Sequence, residues 1–145
     1  LYLRDHHMPM PAGFILMSPW ADLTCSGESH ETNYGRDPLF GNSRESMLYN
    51  SSYIGEHEAT EPYISPVFGE FDGFPPMLIQ VGTHEMLYDD AASVAKKAKE
   101  QGVPVRFTVY EGMFHVFQMS GTVIPESKRA WEEVGAFMHK VMGQW

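Results

Sequence analysis

PMLIQVGTHEMLYDD (residues 76–90) and, further along, VPVRFTVYEGMFHVF (103–117) decide the fold. Met77, Leu78, Ile79 and Val81 form a short apolar run closed by Gly82, which reads as a strand near 77–81. Leu87, Ala91, Val94, Ala95 and Ala98 then recur at three- and four-residue spacing, the period of a helix over 87–101. Asp89 and Asp90 fall in its first turn, and Lys96, Lys97 and Lys99 toward its end. That is the sense the helix dipole favours, with Gly102 as a stop. Residues 103–110 read as the next strand, ended by Gly112. A strand–helix–strand unit of this length predicts a right-handed crossover between parallel strands.

Working outward, Gly13 to Met17 (GFILM) is a continuous apolar run halted by Ser18-Pro19. It suits a strand near 13–17 buried on both faces of a parallel sheet. Leu1 to Arg4 reads as the last turn of a helix, broken by Pro9 and Pro11. Residues 18–75 are rich in Gly, Pro, Ser and Asn. Their best helix lies near 44–54, with Asn42 or Ser43 as the cap. So long a connection is usually functional. The last helix spans 125–144, with Ala130, Trp131, Val134, Phe137, Met138, Val141 and Met142 as one apolar stripe for covering a sheet. The fold class is therefore α/β, in one domain.

The 145 residues carry a formal net charge of −9, and the cationic residues are scattered. Binding to a phosphate backbone needs a clustered positive surface, so no nucleic-acid partner is expected. Cys25 is the sole cysteine, which excludes an internal disulfide, and no basic or Gly-rich elbow surrounds it. It reads as a quiet, partly buried thiol. No apolar run reaches the roughly 20 residues of a membrane span, and no basic–apolar leader is visible. The expected location is the cytoplasm. The chain opens without Met and in mid-element, which reads as a fragment.

In parallel α/β sheets, functional groups gather beyond the carboxyl ends of the strands. Glu85 follows Gly82 by three residues, and His115 follows Tyr110 by five. Adjacent parallel strands would bring both to one sheet edge. A carboxylate on one imidazole nitrogen fixes the tautomer, and the other nitrogen is then free to take a proton from a nucleophile. Each residue also has a structural reading: Glu85 as a helix-start carboxylate, His115 as an ordinary loop histidine. The remaining histidines show no H-E-x-x-H spacing, so no metal site is expected.

Five blocks lie in order along the chain: SPWADLT (18–24), RDPLF (36–40), PYISPVFGEF (62–71), PPMLIQVGTHEMLYDDA (75–91) and YEGMFHVFQ (110–118). With them the chain resembles the hormone-sensitive-lipase-like esterases of the α/β-hydrolase superfamily. The resemblance implies a carboxylic ester hydrolase with a Ser–acid–His triad, a small-molecule ester as substrate, and no metal or organic cofactor. His115 matches the family's histidine. Glu85 matches the first position of its D-P-L-x-D motif, where Asp is usual. Asp89 matches the motif's second acid, a supporting residue and the alternative acid. Trp20, Met86 and Phe114 would line an ester pocket. The last strand and helix would form a homodimer contact.

The departure is large. No G-x-S-x-G elbow and no H-G-G run occur in these residues, although the family places its serine ahead of the acid and histidine. Both are expected before Leu1, making this chain the C-terminal half of the enzyme and inactive alone. Two other readings share parts of the pattern: a serine peptidase of the prolyl oligopeptidase type, and a hydrolase-like small-molecule receptor without catalysis.

Overall fold

A computed structural model describes residues 1–41 and 53–143. Its frame is a parallel three-stranded sheet in the order β1 (Phe14–Met17), β2 (Met77–Gly82), β3 (Val105–Tyr110). Phe14 pairs with Met77 and Met77 with Val105, so the three strands end close to one another along a shared edge. Helix α1 (Tyr2–Asp5) precedes β1, and α2 (Ser29–Thr32) follows it. Helix α3 (Tyr88–Glu100) joins β2 to β3, and α4 (Pro125–Met142) closes the described chain.

Side chains alternate across the sheet, as the strand period of two requires. Met77, Ile79 and Val81 turn toward α3 and pack with its Ala91, Val94, Ala95 and Ala98. Leu78 turns the other way, against Val134 and Phe137 of α4. The central strand β2 is buried along its whole length, so both helices can cover it.

The expected α/β architecture with parallel strands holds, with local differences. β1 is half-buried rather than buried on both faces, since it pairs with β2 alone among the described strands. β3 begins at Val105 instead of 103 because Pro104 has no N–H to give the ladder; its carbonyl still accepts from the Met77 N–H at 2.9 Å. Helix α3 starts one residue late and stops one early. Helix α4 ends at Met142, where Gly143 takes φ 77°. The helix expected at 44–54 falls mostly on residues 42–52, outside the described residues, and Tyr53 and Ile54 lie in a turn.

The apolar stripe on α4 is also narrower than its sequence suggests. Trp131, Met138 and Met142 are each between 43% and 48% exposed. The buried face instead includes Ser127 and Glu133 beside Ala130, Val134 and Phe137. Glu133 is buried because it has partners: the Gln80 amide at 2.7 Å, the Thr108 hydroxyl at 2.7 Å, the Tyr110 phenol at 3.2 Å and the Arg106 guanidinium. Burial raises its carboxyl, but these donors outweigh that and hold it below the usual range. Among the described residues, no helix is long and apolar enough to cross a membrane.

Candidate active site

Each strand of the sheet delivers one side chain to the same edge. Beyond β2 the chain turns at once, and the Glu85 N–H reaches back to the Gly82 carbonyl at 3.3 Å. The side chain folds in the same direction. Its Oε1 accepts from the Gly82 N–H at 2.6 Å and from the Ser18 hydroxyl at 2.9 Å. Glu85 is wholly buried. Its other oxygen, Oε2, faces His115 Nδ1 at 3.4 Å. Neither of these two buried atoms has a hydrogen-bond partner elsewhere among the described residues. An unpaired buried carboxylate oxygen is costly, so each is the natural partner of the other.

The loop after β3 carries His115 over the end of β2. Thr83 N–H bonds the Tyr110 carbonyl at 3.0 Å, His84 N–H bonds the Met113 carbonyl at 3.1 Å, and Gly112 N–H bonds the Thr83 hydroxyl at 2.8 Å. Met113 passes so near Gly82 that a Cβ there would run into its carbonyl. Residue 82 must therefore be glycine for the two turns to nest. The Val116 N–H then bonds the Ser18 hydroxyl at 3.1 Å. Below the histidine, the Gln118 carbonyl accepts from Ser127 Oγ and Trp131 Nε1, both at 2.9 Å, and Gln118 Nε2 reaches the Gln80 side chain at 3.1 Å.

The loop between β1 and β2 holds the acid turn from its other side. Asn33 Nδ2 donates to the Thr83 and Glu85 carbonyls at 3.1 and 2.8 Å. Asp37 Oδ2 accepts from the Met86 N–H at 2.9 Å. Its Oδ1 takes the Leu39 and Phe40 N–H groups at 2.9 and 3.0 Å, which sets Phe40 against the His115 ring, centroids 4.3 Å apart. His115 is 16% exposed, so the ring is framed but reachable.

The six residues singled out from sequence thus fall into different surroundings. Glu85 and His115 come together. Asp89 instead accepts from the Ser29 N–H at 2.7 Å and anchors α2. Met86 is buried, with its backbone held by Asp37 and Ser29. Phe114 is half-buried and packs with Tyr110, Phe117 and Ala130. Trp20 lines an apolar cavity of about 520 Å³ with Phe14, Leu16, Tyr63, Phe71 and Met77. Glu85 and His115 are not among the lining residues of that cavity.

Sequence reasoning passed over Ser18, reading it as a strand stop, and Asn33 and Asp37, which sit in a stretch without periodicity. A signal for Ser18 was available: it is the first residue beyond β1, the same placement that singles out Glu85 and His115. A second buried polar cluster joins the β1–β2 loop to the first turn of α3. Asp90 Oδ2 accepts from the Ala21 and Asp22 N–H groups at 2.9 and 2.8 Å, and its Oδ1 meets His30 Nε2 at 2.9 Å. Burial alone would lower the His30 pKa, but its bonds to Asp90 and Cys25 push it up to about 10. Among the described residues, no group of three or more His, Cys, Asp or Glu is placed to hold a metal ion.

Comparison with known proteins agrees with this architecture. A family model described as the alpha/beta hydrolase fold matches residues 1–119. The chain is 39% identical to an acetyl-hydrolase of Streptomyces hygroscopicus over 98% of its own length and 47% of the relative's. It is 36% identical to an esterase of Acinetobacter venetianus, covering 94% of this chain and 45% of that one. Among solved structures, an esterase from the bacterial hormone-sensitive lipase family superimposes with a TM-score of 0.91 at 36% identity, over 98% of this chain and 48% of that one. The chain therefore spans about half the length of the relatives it matches.

Proposed function

This chain belongs to the α/β-hydrolase fold family, and on that premise we propose that the protein is a carboxylic ester hydrolase to which these residues contribute the acid and the base of a Ser–Glu–His triad. The observation that carries the proposal is the buried Glu85 carboxylate facing His115 Nδ1 at 3.4 Å, with Phe40 on the ring and the histidine still in reach of solvent. The names of the relatives, esterase and acetyl-hydrolase, favour an ester over a peptide and a short acyl group over a long one.

The serine is proposed to come from sequence before Leu1, in the part of the relatives' length that this chain does not span. His115 Nε2 takes the serine proton as the hydroxyl attacks the ester carbonyl and returns it to the leaving alcohol; water then repeats the sequence on the acyl-enzyme. Glu85 keeps the imidazole oriented and balances its charge while the proton is held. Asp89 serves the scaffold on this reading, and Glu85 is the acid. We further propose a homodimer through β3 and α4, where Val109, Trp131, Met138 and Met142 stand exposed.

The test is His115→Ala in the full-length protein, assayed on a short-chain aryl acetate. A fall in kcat of about 10³-fold or more is expected, in line with the loss of a triad member. Turnover within tenfold of the unaltered enzyme would overturn the reading.

A further inference from the structure

We propose that Ser18 is a positioning residue of the acid–base pair, its hydroxyl fixing the Glu85 carboxylate and the His115 loop relative to each other. The inference rests on the triad reading above but concerns a residue outside it. Three observations converge on this hydroxyl. It donates to Glu85 Oε1 at 2.9 Å. It accepts from the Val116 N–H, the residue after His115, at 3.1 Å. It is 3% exposed, so water does not compete for either bond.

The two contacts use the hydroxyl's donor and acceptor capacities together. Val116 N–H points into the oxygen, and the O–H points out to the carboxylate, so the two bonds polarise in one sense. A carboxylate with Oε1 pinned by Ser18 and the Gly82 N–H cannot rotate, and Oε2 is left in one position, toward Nδ1. The same oxygen holds the backbone next to the histidine. The acid and the base are thereby referred to a single atom just beyond the end of β1.

The backbone indicates that the side chain, not the turn, is what position 18 requires. Ser18 sits at φ 51° and Val116 at φ 47°, both left-handed conformations. Non-glycine residues seldom adopt them, and glycine would do so freely. If the turn alone mattered, glycine would suit residue 18 better. Serine adds little beyond a methylene and the hydroxyl that makes both bonds.

The experiment compares Ser18→Ala and Ser18→Gly in the full-length enzyme on a short-chain aryl acetate, alone and in a Glu85→Gln background. Ser18→Gly removes the hydroxyl while easing the backbone, so it guards against a folding defect in the alanine variant. A hydrogen bond to a charged group corresponds to a fall in kcat of about 10- to 100-fold, with KM changed less than about twofold because Ser18 is buried behind the pair. In the Glu85→Gln background the further loss should shrink to less than about threefold, the mark of two residues acting as a unit. A glycine variant with unaltered kcat, a loss that persists undiminished beside Glu85→Gln, or failure of both variants to fold would each overturn the proposal. His115→Ala separates the two levels. If it too leaves turnover intact, the triad reading fails; if it abolishes turnover while Ser18→Gly does not change it, only the Ser18 inference falls.

Discussion

At the scale of single residues, the least expected group is His30. A histidine on an aperiodic loop gives no hint of its surroundings, yet it lies 2% exposed against Asp90, with Cys25 as its second partner. The sign of its pH effect follows from linkage. The unfolded value is near 6.5 and the folded value is raised to about 10, so folding takes up a proton between them. The stability this site contributes is fully present below about pH 6.5 and is lost as pH rises through about 10. Urea unfolding of the full-length protein between pH 6 and pH 10 should show stability falling, and His30→Gln should flatten that fall. An identical slope in the variant would mean the histidine is neutral in the fold. Because Asp90 also caps Ala21 and Asp22, the same ion pair ties the start of α3 to the loop that leaves β1.

At the scale of elements, helix α4 is held by polar bonds as much as by its apolar face. Glu133 gathers donors from β2 and β3, and Gln80 also takes Gln118 from the turn after His115. The helix, the sheet and the histidine loop thus share one network. Glu133→Gln keeps the volume but removes the charge that Arg106, Thr108 and Tyr110 are arranged around. Stability should drop by about 1–3 kcal/mol, the usual range for upsetting a buried hydrogen-bonded group. The Tyr110 phenol, pushed up to about 12 by burial and by the Glu133 charge, should titrate lower in the variant, as phenolate absorbance would read. An unchanged phenol titration would show that burial alone sets it.

The strands and long helices were legible because their periods are strong: apolar runs for the sheet, three- and four-residue spacing for α3 and α4. The misjudged part of α4 has a plain cause. Trp131, Met138 and Met142 share the helical period but lie on the flank of the buried face, whereas Glu133 lies within it and is admitted by its hydrogen bonds. Periodicity reports apolar spacing and is blind to a polar group that brings its own partners. Asn33 and Asp37 escaped notice for the same reason, since what marks them is contact across long sequence separations, whereas Ser18 is marked by its place just beyond β1.

At the scale of the whole molecule, the described residues hold one sheet, two covering helices and a buried Glu85 facing His115, but the sequence contains no G-x-S-x-G. On the proposed reading, the 145-residue chain purified alone should hydrolyse an aryl acetate no faster than buffer with free imidazole. Turnover at a rate typical of esterases would show that the nucleophile lies within these residues. The exposed Val109, Trp131, Met138 and Met142 would make such a preparation prone to self-association.

The hydroxyl bridge from Ser18 to Val116 spans 98 residues of chain. The entropy of closing a loop grows with its length, and contacts so distant in sequence slow folding and form after local ones. Glu85 and His115 therefore face each other only once all three strands are in register and both turns have nested over Gly82. On the proposed reading, a chain with its helices formed but its strands out of register would lack the facing Glu85 and His115, and its chemistry would wait on the complete architecture.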